Sequence, residues 1–194
     1  MAVDLSSRPK ARNIFKAEGL YLRGGKDGEL NVDRLSVKLR DEYTRAPHMF
    51  VYGQVEYLRD TFKDIQYLVA PTVGVGYKVW DTADVRILAF DAGVGFKSEK
   101  NPFEPVRTSG AITGAERFLH KLSDHATVTQ SIAALWTADD FGDALYTLKL
   151  GLAAAITTRS QLTVELADFY KTRPPDVTVR KNDVSVVTAV VYKF

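Results

Sequence analysis

The chain has 194 residues, with 26 basic and 24 acidic side chains, three histidines and no cysteine. Charge is spread along the whole length without a basic patch, so nucleic acid is not an expected partner. Lack of cysteine removes disulfides, thiolate nucleophiles and Cys-based zinc sites. Apolar residues make up 45%, yet no window approaches the roughly 18 uninterrupted apolar residues of a spanning helix, which excludes helical membrane spans. One domain, 1–194, is expected from this length. The opening Met-Ala-Val-Asp-Leu-Ser-Ser carries no basic stretch followed by an apolar core, so no secretory signal is read there. A mature exported domain with a new initiator Met begins this way, and so does a cytosolic protein.

In chain order, segments alternating with period two lie at about 13–23, 31–43, 48–59, 65–79, 85–97, 108–121, 127–137, 146–156, 161–170 and 183–194. Period two sends successive side chains of a strand to opposite faces. Between 65 and 79 the odd positions include Tyr67, Val69, Val73, Val75 and Tyr77, while the even ones are Gln66, Leu68, Ala70, Thr72, Gly74, Gly76 and Lys78. Between 146 and 156, Tyr146, Leu148, Leu150 and Leu152 oppose Thr147, Lys149, Gly151 and Ala153. Segment 108–121 is the least regular, and its neighbours on both sides call for a strand there. Ten strands of this length fit a closed antiparallel up-and-down barrel, all-β, with 8 or 12 strands as the alternatives. About 9 to 11 tilted residues cross a membrane as a barrel strand, so the lengths favour a transmembrane β-barrel.

Longer connections, 24–29, 60–64, 98–105, 138–143 and 171–182, alternate with shorter ones at 44–47, 81–84, 123–125 and 158–160. That is the asymmetry of an outer-membrane barrel, with short turns inside and loops outside. An even strand number puts both chain ends on the inner side. Tyr21, Tyr57, Tyr67, Phe96, Trp136, Tyr146 and Phe169 fall near the outer strand ends, and Tyr43, Tyr77, Trp80, Phe118, Tyr192 and Phe194 near the inner ends. Two interfacial girdles are expected from them, although aromatics also favour strands in general. Pro71 lies inside a strand, where it removes a ladder donor, so a bulge is expected there.

The last strand places Val190, Tyr192 and Phe194 on one face. A closing aromatic of this kind resembles the C-terminal signal by which bacterial outer-membrane proteins are recognised for assembly. The expected partners are therefore outer-membrane lipids and, through Tyr192 and Phe194, the barrel assembly machinery. Val51-Tyr-Gly-Gln-Val-Glu-Tyr-Leu-Arg-Asp, then Gly74-Val-Gly-Tyr77, Asp81-Thr82 and Ala92-Gly-Val-Gly-Phe96, resembles the salt-induced outer membrane protein family, the YdiY-like domain of unknown function. Leu162-Thr-Val-Glu-Leu166, Pro174-Pro175, Lys181-Asn-Asp183 and the closing Tyr192-x-Phe194 extend the likeness over roughly residues 30 to 194. The resemblance implies an outer-membrane location and a β-barrel, and it implies no catalytic residues.

Candidate chemistry is sparse. His120-Lys-Leu-Ser-Asp-His125 is the one cluster that invites a hydrolytic reading, and the topology puts it in a short turn with no substrate pocket and no third metal ligand. Gly74-x-Gly76 and Gly93-x-Gly95 are too short for a dinucleotide fingerprint; curvature and room for bulky neighbours explain them better. No cofactor, metal or catalytic residue is expected. An inward polar set carries more information: Lys16, Glu18, Arg34, Lys38, Arg40, Gln54, Glu56, Arg86, Asp91, Lys149, Thr163 and Glu165. In a lumen only wide enough for side chains, such charges pair across the interior.

The expectation is a bacterial outer-membrane barrel of structural or stress-related role with a narrow or plugged charged lumen. The alternatives are a small-ion or solute pore and a soluble lipocalin-like binding barrel, which inverts the same alternation.

Overall fold

Alternation dictates extended backbone, and in the computed structural model nearly every described residue is in a strand. The structure describes residues 2–10, 12–26, 29–82, 85–102, 104–157, 160–174 and 180–192. Its strands are β1 (Ala2–Lys10), β2 (Asn13–Lys26), β3 (Glu29–Ala46), β4 (Met49–Asp60), β5 (Ile65–Thr82), β6 (Arg86–Lys100), β7 (Arg107–Lys121), β8 (Ala126–Thr137), β9 (Asp140–Ala155), β10 (Ser160–Lys171) and β11 (Asn182–Tyr192). All join one antiparallel up-and-down sheet in which each strand pairs with its neighbours in the chain.

Ten of these strands, β2 to β11, correspond to the ten read from the sequence. The eleventh, β1, pairs with β2 from Ala2↔Leu20 to Ser7↔Phe15. Its apolar side chains are too few to produce a readable alternation, which is why it was missed. The odd number also changes the expected placement of the chain ends: β1 begins at the end of the sheet opposite to the one where β11 finishes.

Two connections expected to be loops are taken up largely by strands instead. Strand pairing continues to Lys26↔Glu29 and to Thr137↔Asp140, and a tight turn joins the second pair. The described residues outside strands at 61–64, 101–102, 104–106, 172–174 and 180–181 share one end of the sheet, here called the loop end.

The sheet curls about one face. Glu18 on β2 meets Lys149 on β9 at 3.9 Å, and the Arg34 guanidinium on β3 lies 4.0 Å above the Phe169 ring on β10. Leu20 packs with Ala167 and Phe169. Strands far apart in sheet order therefore share an interior. Phe50, Tyr52, Gln54, Leu58, Ala70, Thr72, Ala89 and Asp91 point into it and are buried. Intervening Val51, Val55, Val73, Val75, Phe90 and Val94 are 42 to 63% exposed. The larger apolar face is the outer one.

Two glycines explain how bulky rings fit inside. A Cβ at Gly76 would lie 2.0 Å from the Phe50 ring, and one at Gly74 would lie 2.6 Å from the Tyr52 ring. Strand β5 gives up side chains where β4 supplies aromatics, so wall and filling are matched in volume. Pro71 departs from the expected bulge. Register is the same on either side of it, Val69↔Ser98 and Thr72↔Gly95, because Pro71 omits ladder bonds without adding a residue. The shift in this pair of strands comes later, between Lys78 and Trp80.

Candidate functional site, the charged interior

Charges at even positions of β2, β3 and β4 and at odd positions of β6 and β7 meet inside the curl. Arg40 is the hub: Nε donates to Glu42 at 2.7 Å, Nη1 to Gln54 at 2.7 Å and Nη2 to Asp91 at 2.8 Å. Arg117 bridges the same two carboxylates, at 2.5 Å to Glu42 and 3.3 Å to Asp91, and Lys16 reaches Glu42 at 3.2 Å. The Arg40 guanidinium also stacks 3.6 Å over the Tyr52 ring. Shared carboxylates let each buried guanidinium keep ionic partners, which offsets its desolvation.

Two further clusters lie toward the loop end. Lys97 Nζ lies 2.8 Å from both Thr137 Oγ1 and Asp143 Oδ2 and 3.3 Å from Glu99, while Lys171 pairs with Glu99 from across the interior. Arg34 Nε donates to Asp60 at 2.7 Å, and Arg34 reaches Asp183 at 3.1 Å. The other oxygen of Asp60 accepts from the backbone N–H of Phe62 at 3.1 Å and of Lys63 at 3.2 Å, capping the 3-10 turn Thr61–Lys63. That turn delivers Lys63, which is fully buried, to Asp183 at 3.2 Å and to the Lys181 carbonyl at 2.9 Å. Burial pushes the Lys63 ammonium pKa down, and the facing Asp183 pulls it part of the way back.

Between the clusters, Leu58, Ile65, Leu68, Ala70, Ala111 and Leu135 form an apolar layer. A gap of about 30 Å³, bordered by Lys38, Arg40, Gln54, Glu56, Asp91 and Thr113, is left beside it, room for a water molecule. Toward β2 and β9 the interior is looser: Lys38 pairs with Glu56 at 2.8 Å with both partly exposed, and Lys149 pairs with Glu18. Chemically the arrangement neutralises charge and fills space.

Of the residues singled out from the sequence, Lys16, Glu18, Arg34, Lys38, Arg40, Gln54, Glu56, Asp91, Lys149, Thr163 and Glu165 lie on the inner face. Arg86 does not. It is exposed on the outer face and stacks 3.4 Å over the Trp80 ring, since it lies an odd number of residues from the inward Asp91. Sequence reading missed Glu42, Asp60, Lys63, Lys97, Glu99, Arg117, Asp143 and Lys171. Glu42 continues the parity of Arg34, Lys38 and Arg40, and Lys97 and Glu99 continue that of Asp91, so the alternation held the signal. Lys63 lies in a turn, where no alternation exists.

Aromatics populate the outer face near both ends. Trp136 donates to the Tyr146 hydroxyl at 3.1 Å, and Tyr146 also faces Tyr170; Tyr21, Tyr77 and Phe96 are 42, 52 and 66% exposed. Tyr57 and Tyr67 are half-buried there. Trp80 turns outward through the shift after Lys78 and meets Phe118 edge-on. Phe169 is a correction: it is buried beneath Arg34, sharing parity with Thr163 and Glu165, and Tyr170 takes the outward place. His120 lies beside Phe118 on the outer face and His125 in an exposed turn. Phe194 lies outside the described residues, as does the Tyr192 side chain.

A comparison with curated proteins finds no match. A family model does match, over residues 1–194. With an up-and-down antiparallel sheet wrapped around paired charges, the chain belongs to the family described as Protein of unknown function, DUF481.

Proposed function

We propose that this chain is a bacterial outer-membrane β-barrel, closed in the bilayer, of structural or stress-related role, whose lumen is plugged by its own ion pairs. The observation that carries this reading is the direction of the side chains. Val73, Val75, Val94, Leu150 and Leu152 are 39 to 63% exposed, whereas Arg34, Arg40, Glu42, Asp91, Lys97 and Lys171 are at most 8% exposed. In water that distribution is unfavourable, and against acyl chains it is favourable. A soluble ligand-binding barrel needs the opposite orientation and an apolar cavity.

Outer-membrane lipids are the surroundings this surface fits, with the aromatic clusters at the headgroup levels. Recognition by the barrel assembly machinery through Tyr192 and Phe194 belongs to the same reading. No enzymatic role is assigned, because the buried interior charges are engaged with one another.

The test is to refold the chain with and without detergent or vesicles and compare heated and unheated samples by electrophoresis. A folded form that requires amphiphile and migrates faster before heating is expected. A stable, monomeric fold in plain buffer contradicts the reading. Planar-bilayer recordings then separate plug from pore: a flat baseline is expected, and discrete conductance steps would favour the pore.

A further inference from the structure

On the outer wall from β5 to β9, the outward positions between the aromatic ends are apolar side chains, glycine or proline, except at one place. Glu116 on β7 and Gln130 on β8 lie side by side there, with Gln130 Nε2 donating to Glu116 at 3.2 Å. Glu116 pairs across the strands with Phe90 and Ile132, and Gln130 with Phe118 and Leu150. Along β7, Glu116 is midway between Ile112, the partner of Trp136, and His120. If the wall meets lipid, this carboxylate and amide sit in the apolar band, where ionisable groups are rarely left facing acyl chains.

The adjoining row consists of Ala92, Gly114 and Ala134. Trp136 bounds it, since a Cβ on Gly114 would be 3.2 Å from the indole. A shallow strip of small residues thus runs beside the polar pair, and small residues let two membrane surfaces approach closely.

We infer that this wall docks against a second copy of the same chain in the membrane, with Glu116 and Gln130 at the centre of a two-fold contact. The chemistry of the pair selects that occupant. Gln130 has a second amide N–H and Glu116 a second carboxylate oxygen beyond their mutual bond. Rotating one copy about an axis through the patch brings each unused donor to the other copy's unused acceptor. Such self-complementarity is the signature of an isologous interface. The inference rests on the membrane reading of this outer face.

The chain contains no cysteine, so single introduced thiols report proximity without background. Ile132→Cys, beside Glu116, and Val73→Cys, on another part of the wall, are each refolded into phosphatidylcholine vesicles and oxidised. A disulfide-linked dimer with Ile132→Cys and none with Val73→Cys is expected. Adding Glu116→Leu and Gln130→Leu together to Ile132→Cys is expected to reduce the cross-linked fraction at least about tenfold while the heat-dependent gel shift persists, since leucine suits a lipid-facing position. A chain folded in vesicles that cross-links equally at both sites, or at neither, overturns the dimer and leaves the membrane reading standing. Cross-linking insensitive to the leucine pair overturns the role of Glu116 and Gln130. A chain that stays folded and monomeric in plain buffer overturns both.

Discussion

The two halves of the interior are built from the same residue types and differ in how tightly these are held. On the side of β3, β6 and β7, Arg40 and Asp91 have side chains 5% and 2% exposed and meet at 2.8 Å. On the side of β2 and β9, Glu18 and Lys149 are 43% and 29% exposed and 3.9 Å apart. Aromatic rings make the difference. Phe50 and Tyr52 fill the first half and exclude water from the guanidiniums stacked on them. In the second half Gly151, Ala153 and Ala155 supply little volume. One half is tightly packed and the other is more exposed.

The largest effect is expected from Asp91→Ala, which removes a carboxylate shared by the buried Arg40 and the half-buried Arg117. A loss of about 3 to 5 kcal/mol follows for breaking a buried pair, measured by denaturant unfolding in vesicles. Asp91→Ala no more harmful than Glu18→Ala would erase the distinction between the halves. Val73→Arg on the outer wall comes next, at about 2 to 4 kcal/mol for a cation facing the bilayer midplane; a wall that faced water would tolerate the same change. Glu18→Ala and Lys149→Ala are each expected to change stability by less than about 1 kcal/mol, as for exposed pairs. Sharper still, Lys149→Cys on the side of β2 and β9 reacts with a water-soluble thiol reagent in the folded protein, while Ser109→Cys, buried in the packed half, is protected. Equal reactivity at the two sites would mean that the halves are equally wet.

Much of this arrangement was legible in period-two patterning, because one face of each strand had to differ from the other. That rule assigned Lys38, Arg40, Glu56 and Asp91 to one interior, and extending it would have added Glu42, Lys97 and Glu99. Arg86 was assigned inward against that rule, since it lies an odd number of residues from Asp91. For Trp80 the rule alone gives the wrong face, since the register shift after Lys78 leaves no trace in composition. Strand β1 was illegible for want of apolar residues. The burial of Lys63 depends on Asp60 capping a short turn, a tertiary event that alternation does not encode. The glycines opposite Phe50 and Tyr52 were read as room for bulky neighbours, and only the structure identifies which rings fill it.

The chain has two tryptophans, and both are on the outer face, Trp80 against Phe118 and Trp136 against Tyr146. Refolding into vesicles whose acyl chains carry bromine tests directly whether that face meets lipid. Strong quenching relative to unbrominated vesicles, with little added quenching by aqueous iodide, is the expected result. Emission indifferent to bromine and quenched by iodide would contradict the orientation on which the account depends.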